Sequence, residues 1–157
     1  MDKPLSDAEI KRRLTGVPVI KYSDLRKLNT LPDVCIILLE WQKNGGVGHW
    51  VALFHIENEP YYFNSFGERF DDDLNCLSRS ARIILGESGN EIERLLNGVP
   101  CEWNKTKYQA DTSSTCGRFC IDRIRNKRLG SAAYLRKMNK LKKMFGSYDN
   151  AILELVP

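Results

Sequence analysis

An α+β fold, with a small, mainly antiparallel sheet flanked by helices, follows from three features of this 157-residue sequence. A capping-box tetrad near the start, Ser6-Asp7-Ala8-Glu9, opens a helix. Runs of strand length joined by turn residues occupy the stretch from Val34 to Gly67. Two segments in the last third, Ser114 to Lys127 and Ser131 to Phe145, carry apolar residues at helical spacing. With 42% hydrophobic residues the chain suits one compact domain over 1–157, built on a single core.

The first helix runs from the capping box to about Leu14 and stops at Thr15-Gly16-Val17-Pro18. "SDLRKLN" (Ser23–Asn29) is a further helical turn. Val34 to Trp41 is a continuous apolar run, as a buried central strand requires. Asn44-Gly45-Gly46-Val47-Gly48 is a glycine-rich turn, His49 to Ile56 a second strand, and "NEPYYFNSFG" a turn leading into a third. Asp71 to Leu96 reads as helical pieces interrupted at Gly86 and Gly89. Val99 to Tyr108 is a further strand. The last helix carries Tyr134, Leu135, Met138, Leu141 and Phe145 on one side, and the terminal "AILELVP" is read as an edge strand.

Charged residues make up 28% of the chain and its net charge is +4, a mild bias towards anionic partners. Five cysteines without regular spacing argue against a disulfide framework and for a reducing compartment. No CxxC pair exists and there are two histidines, so a structural zinc site is not expected; the reading invokes no cofactor. The first residues lack an apolar h-region and no run is long enough to span a bilayer, which predicts a soluble intracellular domain without membrane contact.

The stretch "YQADTSSTCGRFC" (Tyr108–Cys120) places a thiol between a polar run and a helical pattern. Thr112, Ser113 and Ser114 are good N-cap residues, so Cys116 is expected in the first helical turn. There the macrodipole and free amides favour the thiolate. Gly117 leaves room beside the sulfur for a substrate carbonyl, and Gln109 can add a side-chain donor to an oxyanion. A catalytic thiol needs a base, and His49 opens a strand near a sheet end. Asn64 ends the strand that should pair with it, bringing an amide within reach of the imidazole. Singly, each residue has an ordinary reading: core thiol, backbone-bonded histidine, turn asparagine. Cys120 and Cys35 are read as packing and His55 as surface or structural.

The ordered set "GHW" (Gly48–Trp50), "YYFNSFG" (Tyr61–Gly67) and Gln109 followed by Cys116 to Cys120 as "CGRFC" resembles the adenovirus-type maturation proteases. These are related more distantly to the SUMO-specific proteases. The likeness spans about Ser6 to Lys127. It implies an adenain-like cysteine protease fold with the nucleophile at a helix N-terminus. In it Cys116 is the nucleophile, His49 the base, Asn64 the orienting residue and Gln109 the oxyanion donor, with Trp50 shielding the site. Asn64 stands where the adenoviral proteins carry an acid, which weakens stabilisation of the imidazolium and leaves tautomer control in place. The chain is also shorter than those enzymes. The resemblance further implies a virus, virophage or related mobile element, and cleavage of capsid or core precursors, often at Gly-containing sites. It places the protein in the infected cell, in cytoplasm or nucleus, and in the virion interior.

Two other functions compete. A protease of ubiquitin-like conjugates shares the triad but usually carries Asp before the nucleophile, where Thr115 stands, and needs a longer chain. A catalytically inactive nucleic-acid binder would not need Cys116, His49 and Gln109 together. Nucleic acid enters either way through the basic helix "LRKMNKLKK" (Leu135–Lys143), whose Arg136, Lys137, Lys140, Lys142 and Lys143 form a candidate DNA-binding face. A monomer is expected.

Overall fold

The computed structural model describes residues 3–40, 48–72, 77–86 and 89–157. The predicted turn over 44–47, the strand end at Trp41 and Cys76 lie outside them. The architecture is α+β: a five-stranded sheet in the order β1 (Val19–Lys21), β2 (Cys35–Glu40), β3 (Gly48–Ile56), β4 (Glu59–Phe63) and β5 (Glu102–Trp103), with helices on its faces. The helices are α1 (Asp7–Arg13), α2 (Arg79–Leu85), α3 (Glu91–Leu96), α4 (Cys116–Arg125), α5 (Ser131–Phe145) and α6 (Tyr148–Leu155), and a 3₁₀ helix covers Tyr22–Lys27.

Local signals explain the elements the sequence predicts. Ser6 accepts from the Glu9 amide while the Glu9 carboxylate takes the Ser6 amide, the complete capping box, and α1 closes at Leu14. A cap of this kind stabilises a helix by about 1 kcal/mol. The β3–β4 hairpin turns at Glu57 and Asn58, both with positive φ, and pairs Ala52 with Phe63 through Ile56 with Glu59. Gly86 ends α2 in the left-handed region, φ 76°, where a side chain would be strained.

The two long central pairings are antiparallel, as expected, and the short edge strands make the sheet mixed, β1 running parallel to β2 and β5 parallel to β4. Three expectations are corrected. The strand predicted over 99–108 is only Glu102–Trp103, because the chain leaves the ladder at Asn104, whose side chain bonds the Asn64 backbone instead. The C-terminal residues form α6, not an edge strand. Gly146 ends α5 at φ 90°, Ser147 caps the next helix, and Tyr148, Ala151, Ile152 and Leu155 fall at helical spacing. Finally, one core becomes two, because alternate β3 residues feed opposite sides of the sheet. Trp50, Ala52 and Phe54 pack with α1, α4, α5 and α6. Val51 and Leu53 pack with Tyr22, Phe70, Ile92 and Leu96.

Among the described residues no helix is long and apolar enough to cross a membrane.

Candidate active site

The start of β3, the segment that follows β4 and the start of α4 meet at one end of the inner strands, around a cavity of about 430 Å³. His49, Trp50, Gln109 and Cys116 all line it, with Leu5 and Phe66 among the apolar walls. His49, Asn64 and Gln109 are buried to 2% exposure or less, and Cys116 retains 7%.

The hydrogen bonds around His49 fix its tautomer. Its Nε2 lies 2.7 Å from Asn64 Oδ1. The same Asn64 atom receives the Phe66 backbone N–H at 2.8 Å, and a backbone N–H can only donate. That atom is therefore the amide oxygen, so His49 Nε2 carries the hydrogen and, in the neutral ring, Nδ1 holds the lone pair. The imidazole also stacks on Phe66, centroids 4.5 Å apart. Burial lowers the His49 pKa to about 4, an effect the Asn64 bond opposes. The ring is neutral at neutral pH and able to take a proton.

Asn64 is itself held rigidly. Asn104 Oδ1 accepts its backbone N–H at 2.9 Å, and Asn104 Nδ2 donates to its carbonyl, so a side chain stands in for a neighbouring strand. Ser65, the next residue, does the same for Gln109. Its carbonyl accepts the Tyr108 and Gln109 amides, and its hydroxyl donates to Gln109 Oε1 at 2.6 Å. Gln109 Nε2 donates to the Ser113 carbonyl at 2.9 Å. An amide pinned at both ends has a defined orientation, which an oxyanion donor requires. Sequence reasoning missed Ser65 and Asn104. Both act across about forty residues of chain, and neither type in isolation signals such a role.

Cys116 is the first residue of α4, as expected, but the predicted cap is displaced. Thr115, not Thr112, Ser113 or Ser114, is the N-cap, and its side chain makes no bond to the helix amides. Gly117 also has a packing role that the sequence did not show. A Cβ there would lie 3.3 Å from the Trp50 ring and 3.4 Å from both Ile10 and Leu5, so glycine lets α4 press against β3 and α1. Trp50 does stand beside the thiol in the cavity wall, fixed by its indole N–H on the Leu5 carbonyl at 3.2 Å. Cys120, one turn on, is fully buried with its thiol on the Trp50 carbonyl, and burial raises its pKa well above the usual thiol value. It packs, as read from the sequence. His55 is structural, its Nδ1 3.0 Å from the Asp33 carbonyl.

No protein-family model matches the chain. It is 34% identical over 137 residues to the uncharacterized protein V9 of Sputnik virophage, a match covering 80% of this chain and 77% of that protein. The chain belongs to the family of that virophage protein. The kinship is with a viral protein, and the relative's name assigns no activity to either member.

The five cations of the basic helix do not act as one set. Arg136, Lys140 and Lys143 are exposed and share one side of α5 by their spacing. Lys142 is also exposed but sits over the Tyr148 ring. Lys137 is committed inward, 2.9 Å from the Asp122 carboxylate. Among the described residues no three His, Cys, Asp or Glu side chains cluster as metal ligands.

Proposed function

We propose that this protein is a cysteine endopeptidase of the adenovirus-maturation type that cleaves capsid or core precursors in the infected cell and within the virion. The observation that carries the reading is the His49–Asn64 hydrogen bond with its fixed tautomer, at a cavity that Cys116 and Gln109 also line. The ordered motifs and the kinship with a virophage protein support the viral setting.

In this reading His49 Nδ1 takes the Cys116 proton and the thiolate attacks the scissile carbonyl carbon. The π-electrons of that carbonyl move onto its oxygen, which the Gln109 amide and the first-turn amides of α4 stabilise. The intermediate collapses with rupture of the C–N bond, and the imidazolium returns the proton to the departing amine. Water, deprotonated by His49, then cleaves the thioester and restores the thiol. Asn64 holds the ring throughout. Being neutral, it stabilises the imidazolium less than a carboxylate would. Arg136, Lys140 and Lys143 hold the enzyme on packaged DNA beside its substrates.

The reading is tested by alkylating the native protein with iodoacetamide and mapping the adduct by mass spectrometry. Cys116 should react first, and faster than the half-buried Cys101, whose thiol is raised to about 12 by burial. A peptide aldehyde should protect it. Uniform slow labelling, unaffected by the aldehyde, would remove the nucleophile from the mechanism.

A further inference from the structure

We propose that Asp149 is a positioning residue for the chemistry at Cys116, acting through the segment that joins Gln109 to the start of α4; this rests on the thiol-protease reading above. That segment, residues 110–115, belongs to no helix or strand. Within it the Ser113 amide donates to the Ala110 carbonyl, and the Ser113 and Thr115 hydroxyls lie 3.1 Å apart. Yet it carries one end of the Gln109 clamp and sets the origin of the helix on which the thiol sits.

Asp149 fastens this segment at its beginning, middle and end. Its Oδ2 accepts the Ala110 amide at 3.0 Å. Its Oδ1 accepts the Ser113 hydroxyl at 2.9 Å and the Thr115 hydroxyl at 2.6 Å. Bonds to an ionised acceptor are shorter and stronger than neutral ones, so three on one carboxylate make a firm anchor. The anchor point is itself rigid. Asp149 lies in the first turn of α6, where the dipole favours a carboxylate, and α6 buries Ala151 and Ile152 completely.

Two consequences reach the site. Ser113 is gripped by its hydroxyl while its carbonyl holds Gln109 Nε2, so the carboxylate sets the position of the oxyanion donor through one intervening residue. Thr115 would ordinarily turn its hydroxyl onto the amides of the helix it caps. Here that hydroxyl goes to Asp149 and makes no cap bond, so the carboxylate fixes the residue from which α4 starts and, one position on, Cys116. Removing the carboxylate releases Ser113, lets Gln109 drift and loosens Thr115 at the origin of α4.

The experiment compares wild type, Asp149→Ala and Asp149→Asn. All are assayed below their melting temperatures for peptide hydrolysis and for the iodoacetamide rate at Cys116 over about pH 5 to 9. D149A should lose about tenfold to a hundredfold in kcat, as displacement of a positioned group does, with KM changed by no more than about threefold. Its alkylation midpoint should move to higher pH. D149N keeps an oxygen for the two hydroxyls but opposes an N–H to the Ala110 amide, so it should fall between the other two. A reactive wild-type thiol whose midpoint and kcat survive unchanged in D149A, whatever its melting temperature, would overturn this proposal alone. An ordinary, unreactive Cys116 in the wild type would overturn the thiol-protease reading and this proposal with it.

Discussion

At its first residue α4 lines a cavity with Cys116; less than two turns later the same helix buries Asp122 and Arg123 to 5% and 0% exposure. The far end is closed on itself. Asp122 accepts the Tyr134 hydroxyl at 2.8 Å, Lys137 Nζ at 2.9 and 3.0 Å, and Asn126 Nδ2. The Arg123 guanidinium sits 4.5 Å from the Tyr134 ring and 5.1 Å from Phe54 and Tyr61, donating to the Asn126 and Leu129 carbonyls. Only its Nε, among buried side-chain atoms of the described residues, finds no partner. At the near end the Thr115 side chain makes no cap bond, and the polar groups are steadied from outside, by Ser65, Asn104 and Asp149. Within one ten-residue helix a consolidated segment thus lies less than two turns from a residue that lines a cavity.

The largest effect should come from setting the two ends against each other. Cys116→Ala removes one sulfur at the cavity wall and should lower peptide hydrolysis by at least ~10⁴-fold, as loss of a nucleophile does, while thermal melting stays near wild type. Asp122→Ala should do the reverse. It strands Lys137 and the Tyr134 hydroxyl and should cost about 2–3 kcal/mol in denaturant titrations, less than a fully buried pair because Lys137 is partly exposed. Below its transition it should turn over normally. Substantial turnover by C116A, or a stable but inactive D122A, would erase the division of labour.

Next in size is the pairing of His49 with Asn64. With the ring pKa lowered to about 4, its protonation should limit kcat/KM only well below pH 6.5. Asn64→Ala frees the tautomer and should slow turnover by about a hundredfold, short of the loss in C116A. Asn64→Asp should remain active, and its acid limb should move to higher pH, because an anion favours the charged ring. The same shift has a stability consequence of defined sign. The unfolded histidine, near 6.5, binds a proton that the folded one refuses, so stability is complete above 6.5 and is lost as pH falls towards 4. His49→Gln should flatten that part of the curve. An N64D enzyme that folds but does not turn over would show that Asn64 does something other than orient the ring.

What was readable from the sequence divides along the same line. Cys116, His49, Asn64 and Gln109 could be singled out because their types and order suggest a chemistry, and the hairpin brings His49 to Asn64 by local register. The groups that hold them could not be, since Ser65, Asn104 and Asp149 act between segments some forty residues apart. The packing of Trp50, Ile10 and Leu5 about Gly117 was not legible, because their close approach is a property of the fold. The C-terminal helix was misread for a simpler reason. Reading from Ala151 leaves a short apolar run, whereas starting at the Ser147 cap and Tyr148 exposes the helical stripe. The strand β1 has three residues and no pattern of its own; its pairing with β2 decides it.

The smallest predicted effect lies on the basic helix, where the closed end of α4 has already claimed one cation. Lys137 is bound to Asp122 and lies 5.5 Å from the Tyr134 ring, so it belongs to the fold. Arg136, Lys140 and Lys143 remain exposed on one side of α5. If that side touches DNA, binding releases counterions, weakens with salt and ignores sequence. Titration onto random duplex DNA at low and physiological salt should show a slope of log affinity against log salt steeper by up to about three in wild type than in Arg136/Lys140/Lys143→Glu, one step per phosphate lost. Lys137→Met is the control that ties this back to the helix ends. It should lower the melting temperature through Asp122 and leave DNA affinity as it was. Equal affinity of wild type and the triple variant would make the exposed cations a solvated face and nothing more. A loss of binding in K137M equal to that of the triple variant would mean that the ion pair opens to meet the polymer, and the boundary drawn between the two ends of α4 would have to move.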